Sequence, residues 1–165
     1  MNKRERLLHL AQGGIIAAAY AALTLIFAPI SFGPVQIRIA ESLSILPMFT
    51  KAAVPGLFIG CILGNLLGGA VITDVIFGSV ATLIGAYLGY LLRKNRWLVP
   101  IPTVISNTVI IPLVLYFGYD VQIPIYLMML YIMAGEFVGS FLLGEVLGDF
   151  LLRHKKSFFH KEYNE

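Results

Sequence analysis

The sequence predicts an all-α membrane protein, a single integral membrane domain over residues 1–165 with six transmembrane helices and both termini cytoplasmic. Three observations lead there. Of the 165 residues, 58% are hydrophobic and only 13% charged, and the mean hydropathy is +0.84; a soluble domain of this length would have too little polar surface to cover itself. Apolar runs recur at roughly the length that crosses a hydrocarbon core of ~30 Å. Basic residues fall in groups at alternate ends of those runs.

The first run, Leu7 to Ile30, is ended by Pro29. Its basic start resembles a signal peptide, but the chain stays hydrophobic after it and shows no clear A-x-A cleavage site, so it reads as a retained first helix. The polar-tolerant stretch "SFGPVQIRIAE" follows. A short second helix spans roughly Ile39 to Phe49 and stops near Lys51. The third runs from about Ala52 to Leu67, ended by "GG", and the fourth from about Asp74 to Leu92, meeting "RKNR". The fifth covers about Leu98 to Phe117. The last is long, roughly Pro124 to Leu152, and ends in "RHKK". The tail "KSFFHKEYNE" is at most amphipathic and is expected at the cytoplasmic interface.

Lys and Arg favour the cytoplasmic flanks of membrane helices. Lys3, Arg4 and Arg6 precede the first helix, and Lys51 separates the second from the third. Arg93, Lys94 and Arg96 separate the fourth from the fifth, and Arg153, Lys155 and Lys156 follow the sixth. With six spans all of these share one side. The opposite loops carry Arg38 as their only basic residue.

Small residues set the expected packing. Gly56, Gly60, Gly64 and Gly68 recur every four residues in the third helix, a stripe that lets another helix approach closely. Ala81, Gly85 and Gly89 repeat it in the fourth, and Gly135/Gly139 and Gly144/Gly148 in the sixth. The first helix carries two such stripes, Gly14/Ala18/Ala22 and Ala17/Ala21. Internal packing and a face for another protein both fit them.

Polar groups at membrane depth are costly and usually face a cavity, a partner or the bundle interior. The candidates are Arg38, Glu41, Asn65, Asp74, Thr82, Ser106, Asn107, Glu136, Ser140 and Glu145. In the six-span arrangement Arg38, Glu41, Asp74 and Asn65 lie near outer helix ends. Asn107 and Glu136 lie deeper; Glu136 is ~18 Å along its helix from Pro124. Arg38 and Glu41, three residues apart, fit either an interfacial ion pair or the mouth of a ligand site. Asp74 fits a helix cap. Glu145, nearer the inner end, fits an interfacial or packing role.

Enzyme chemistry is poorly supported. His9, His154 and His160 all lie at the chain ends, which leaves no Ser–His pair or His-ligated metal within the bundle. There is no G-x-x-x-x-G-K-[ST] for ATP hydrolysis, and Asp74, Asp120 and Asp149 all lie at predicted helix ends. Lone Cys61 permits no intrachain disulfide and packs as a small hydrophobe. No cofactor and no nucleic-acid partner are expected. A compact bundle with an outward polar pocket fits a small-molecule carrier. The residues themselves name neither the ligand nor the energy source.

In order along the chain, "FGPVQIRIAESLSILP", "GLFIGCILGNLLGG", "DVIFGSVATLIGAYLG", "VPIPTVISN" and a late "GE" resemble the QueT family. The resemblance runs from about Gly14 to Leu152. It implies the substrate-binding S component of an energy-coupling factor (ECF) transporter in the bacterial plasma membrane, taking up queuosine precursors, which are 7-deazaguanine bases. It implies six helices, a ligand site near the outer face, and partnership with a membrane coupling protein and two cytoplasmic ATPases. It also implies that the S component topples in the bilayer to deliver ligand. An A-x-x-x-A stripe on the first helix commonly meets the coupling protein; Ala18/Ala22 or Ala17/Ala21 match it. On that reading Glu136 accepts the N1–H and exocyclic amine of the base and Asn107 reads its carbonyl edge. Glu41 and Asp74 are the next candidates, or hold a cationic aminomethyl group, with Arg38 and Asn65 at the same site. Phe77, Tyr116 or Tyr126 would stack on the base. The competing expectations are another nucleobase or a vitamin as ligand, a membrane scaffold or assembly factor, and a stand-alone secondary carrier.

Overall fold

A computed structural model describes residues 3–31 and 37–154. The tail reading therefore lies outside the described residues, as does most of the loop before Arg38. The described chain is helical, without strands. In order come α1 (Lys3–Ile26), the short α2 (Ala28–Ser31), a 3-10 helix (Ile39–Met48), α3 (Ala53–Leu67), α4 (Ile72–Leu91), a 3-10 turn (Arg96–Leu98), α5 (Ile101–Gly118) and α6 (Ile125–Glu136). A π-helical segment (Phe137–Leu142) then continues into α7 (Leu143–Arg153). Four helical stretches are long and apolar enough to cross a membrane: Lys3–Ile26, Ile72–Leu91, Arg96–Gly118 and Ile125–Arg153.

The second expected helix is present at nearly its expected bounds but winds as a 3-10 helix. This matters for reach. At ~2.0 Å per residue its ten residues extend ~20 Å, where an α-helix would extend ~15 Å. Pro47 lies inside it, and Phe49 N–H closes the end on Leu46 O at 2.8 Å. Every residue from Ala40 to Thr50 is buried. This segment is thus the axis of the fold, against α1, α3, α4, α7 and the π segment. The helices pack around it in the order α1, α3, α4, α5, α6.

Glycines allow this close approach. A Cβ on Gly60 would lie 2.7 Å from Tyr20 Cβ and 2.9 Å from Ala17 O; one on Gly56 would meet Gly13 O at 2.8 Å, and one on Gly64 would meet Thr24 Cβ at 3.0 Å. The α3 stripe therefore seats α1. Gly85 and Gly89 seat α5 in the same way, against Thr103 and Val99. In the last helix the glycine step changes from four to five between Gly139 and Gly144. The π segment absorbs that extra residue, since its turn is wider than an α turn. Gly139 then faces Arg38 O, Gly144 faces Ser42 O and Gly148 faces Ile45. All three line the 3-10 axis, and Ser44 and Ser140 hydroxyls join across the same contact at 2.8 Å.

The two stripes of α1 separate. Ala17 and Ala21 are buried, with Ala17 against Gly60, so that pair is internal packing. Gly14, Ala18 and Ala22 are exposed, and a Cβ on Gly14 would meet nothing within 4 Å. Large apolar side chains such as Ile15, Ile105 and Val146 also stand exposed around the bundle, as a lipid-facing surface requires.

At the end bearing the α4–α5 turn, Arg96 is a latch. Its Nε donates to Glu145 Oε2 at 2.5 Å and its Nη1 to Asp149 Oδ1 at 3.4 Å, while Arg153 Nε donates to the other Asp149 oxygen at 2.8 Å. Glu145 thus pairs within the chain. Replacing Arg96 by alanine would leave buried Glu145 without its cation and is expected to lower stability by about 1–3 kcal/mol. Thermal unfolding in detergent measures this, and Trp97, the sole tryptophan, reports the local change by fluorescence.

Candidate functional site

Six elements each send polar side chains into the interior of the bundle. On α4, Asp74, Gly78 and Thr82 are four apart and share a face; on α3, Cys61 and Asn65 do the same. Tyr20 comes from α1, Arg38 and Glu41 from the start of the 3-10 helix, Asn107 from α5 and Glu136 from the last turn of α6. Arg38, Glu41, Asn65, Asp74, Asn107 and Glu136 are all at most 4% exposed. The six sequence candidates for ligand contact therefore lie in the interior, within one connected cluster.

The cluster has two levels. At the upper one, Arg38 Nη2 lies 3.4 Å from Asp74 Oδ2, and the Tyr119 hydroxyl donates to that oxygen at 3.1 Å. Burial and the Asp74 carboxylate push the Tyr119 phenol up, which keeps it a donor. Asn65 Nδ2 donates to Asp74 O at 3.3 Å, tying the end of α3 to the start of α4. The helix-cap expectation for Asp74 is corrected here. Val71 is the cap position of α4 and makes no side-chain cap bond, whereas Asp74 lies in the first turn and spends its side chain on Arg38 and Tyr119.

At the lower level, the Tyr20 hydroxyl donates to Glu41 Oε1. Thr82 donates to Gly78 O at 3.1 Å and, weakly, to Cys61 Sγ at 3.4 Å; Asn65 Nδ2 is 3.6 Å from the same sulfur. Cys61 is fully buried, but it bridges the two levels and is not simply an apolar filler. Asn107 lies beside both Glu41 and Glu136, and those carboxylates lie in each other's field. Asn107 acts on both carboxylates, but neither its amide atoms nor Glu136 Oε2 reach hydrogen-bond geometry, and the same holds for Asp74 Oδ1 and Asn65 Oδ1 at the upper level. Buried polar atoms without partners are rare. Here an amide acceptor, an amide donor and a carboxylate oxygen are left open side by side.

Gly78 keeps the levels in contact: a Cβ there would lie 2.6 Å from Asp74 Oδ1 and 3.3 Å from Asn65 Nδ2. Gly139 does the same for Arg38, whose carbonyl oxygen would be 2.6 Å from an added Cβ.

Phe77, Tyr116 and Tyr126 are exposed rather than packed around the cluster, and Tyr116 instead meets Phe117 edge-on at 5.0 Å. The aromatic residues the structure brings in are Tyr20 and Tyr119, both of which the sequence reading missed. A signal for Tyr20 existed: Tyr20 and Thr24 continue the 3–4 spacing of Ile16 and Ala17 along the face that meets α3. A surface groove of about 360 Å³ between α4 and α5, lined by Ile84, Leu88, Ile101, Ile105 and Val109 among others, is apolar and suits a hydrocarbon chain rather than a base.

Comparison with known proteins adds a separate line. The family model described as QueT transporter matches residues 10–153. The queuosine precursor transporter QueT of Lactococcus lactis subsp. cremoris (strain MG1363) is 39% identical over 80 residues, a match that spans 47% of this chain and 47% of that protein, about half the length of each. No solved structure matches.

Proposed function

The chain belongs to the QueT transporter family, and on that premise we propose that it is the substrate-binding S component of an ECF importer. That family consists of transporters, not enzymes. In this reading the protein captures a queuosine precursor, a 7-deazaguanine base, at the outer face of the bacterial plasma membrane. A membrane coupling protein and two cytoplasmic ATPases drive the uptake. The relative's name supports the substrate class. The single observation that carries the reading is the open, buried set at Asn107 and Glu136.

The chemistry fits such a base. A 7-deazaguanine presents N1–H and an exocyclic amine side by side, and a carboxylate accepts both. Glu136 is assigned that role and Asn107 the carbonyl edge, with Glu41 and Asp74 completing the site. Arg38, Asn65 and Tyr119 close its upper level. The six-span arrangement with both termini cytoplasmic rests on the basic groups. The 3-10 helix at ~20 Å and the fifteen residues of α3 at ~22 Å then join the four longer helices as the remaining spans. For the coupling protein we assign the exposed Gly14/Ala18/Ala22 stripe, since Ala17 and Ala21 are covered by α3.

Thermal unfolding of the purified protein against a panel tests this: 7-cyano- and 7-aminomethyl-7-deazaguanine, queuine, guanine and several vitamins. A ligand that binds the native state raises the midpoint, by about 2.7 kcal/mol of stabilisation at a hundredfold excess over Kd. A rise with the deazaguanines is expected. A rise with a vitamin alone would reassign the substrate, and a flat panel from folded protein would favour a scaffold.

A further inference from the structure

Away from the interior cluster, the groove between α4 and α5 is apolar along its length and ends at charge. Gly85 and Gly89 hold the α4 backbone against Thr103 and Val99, and larger side chains rise on either side of the groove. Leu88 and Leu92 on α4 stand exposed on one rim, with Ile105 of α5 on the other. Pro102 and Ser106, both buried, lie between them as a floor. Ser106 Oγ donates to Ala81 O at 2.9 Å, so this floor asks for no polar partner. From Ile84 to Leu92 the trough runs ~12 Å along α4 and encloses about 360 Å³.

A transmembrane helix is a poor occupant. Close helix docking in a bilayer uses small residues, and this trough is rimmed by Leu and Ile. A flexible hydrocarbon chain fits such a lining. The end of the trough indicates which lipid. Leu92 lines it, and Arg93 and Lys94 follow directly in the chain. Arg96, in the same turn, is already paired with Glu145 and Asp149. Arg93 lies over the Tyr90 ring at 4.6 Å, a contact that leaves its charge uncompensated. Neither Arg93 nor Lys94 makes an ion pair among the described residues. Trp97, exposed in the same turn, suits the level of the lipid headgroups.

We propose that this groove binds one anionic phospholipid from the leaflet on the side of the α4–α5 turn, with an acyl chain in the trough and the phosphate on Arg93 and Lys94. A zwitterionic headgroup carries its own cation and compensates that pair poorly. A singly anionic one, as in phosphatidylglycerol, leaves its phosphate charge for them. The groove faces the bilayer whatever the interior cluster binds.

Native mass spectrometry of the full chain released from detergent tests this, with phosphatidylglycerol and phosphatidylcholine of identical acyl chains as probes. One phosphatidylglycerol per protein is expected to be retained. It should bind about 30-fold more tightly than phosphatidylcholine, from about fivefold for each of two cations. The double substitution Arg93→Gln/Lys94→Gln is expected to bring the two lipids within about threefold of each other. Ile105→Trp fills the trough from an exposed position without touching the charges, and it is expected to abolish the one-to-one complex. Thermal unfolding checks the fold of each variant, and Leu88→Trp fills the trough from the opposite rim should Ile105→Trp unfold. Equal retention of both lipids by the parent would overturn the headgroup assignment. A phosphatidylglycerol preference that survives in a folded, filled variant would reduce the basic turn to general surface attraction and overturn the site. Several phosphatidylglycerols bound with no one-to-one species would do the same.

Discussion

Glu136→Gln is expected to weaken binding of a 7-deazaguanine base by about 10²–10⁴-fold. The substitution is nearly isosteric, so packing against α5 and the 3-10 helix stays in place. What changes is chemistry: one acceptor oxygen becomes an NH₂ donor facing the donors of the base. One hydrogen bond to a charged group, worth about 1.5–3 kcal/mol, is lost, the other weakens because its acceptor is now neutral, and the buried NH₂ and the donor it faces are left unpaired at about 1–3 kcal/mol. The ligand-free protein should behave in the opposite way. Glu136 is 3% exposed and its Oε2 lacks a partner, so neutralising it should leave unfolding unchanged or raise its midpoint. Calorimetry and thermal unfolding on the same preparation separate the two effects. A variant that binds as tightly as the parent would remove Glu136 from the site. One that loses binding together with stability would make it a structural residue.

The second large effect is expected at Gly60→Val. Even the first added carbon lies 2.7 Å from Tyr20 Cβ and 2.9–3.0 Å from Ala17 backbone atoms, and backbone cannot step aside as a flexible side-chain tip can. Overpacking of this kind costs about 1–3 kcal/mol, and more when helix backbones must separate. The damage should reach the site, because Tyr20 holds Glu41 from the same turn of α1. Gly60→Val should therefore lower both the unfolding midpoint and ligand affinity. Ala22→Leu provides the contrast. It enlarges an exposed position on the other stripe of α1, so fold and binding should persist while uptake by the assembled importer falls at least tenfold, as expected when a bulky side chain is forced between closely packed membrane helices. Ligand binding in detergent and uptake into proteoliposomes measure the two. Full uptake by Ala22→Leu would take the coupling surface away from this stripe.

Much of the fold was legible because membrane solvent leaves a strong mark on composition. Apolar runs located α1, α3, α4, α5 and the α6–α7 stretch to within a few residues. The five-residue step from Gly139 to Gly144 already encoded the π turn, although a spacing alone does not say which backbone faces it. Polar residues at membrane depth are so costly that their presence singled out Glu41, Asn65, Asp74, Asn107 and Glu136 as facing a cavity, a partner or the bundle interior, the first three near outer helix ends. Glu145 was equally visible, but its partner Arg96 was counted only as a basic flank.

Hydropathy, charge placement and small-residue spacing thus carried the architecture and the list of interior polar groups, because each is a local property of the chain. Partnership required the folded molecule. Ala17 and Ala18 are neighbours of the same size, and only the docking of α3 makes one a packing residue and leaves the other on the surface. Asp74 reads as a cap until Arg38, 36 positions earlier, is brought against it. Tyr20 gains a role only when the 3-10 axis carries Glu41 past α1. The winding of that axis is itself a tertiary outcome. Ten residues, nine of them buried, must reach ~20 Å between helices packed on glycine, and no local propensity in "IAESLSILPM" demands that length.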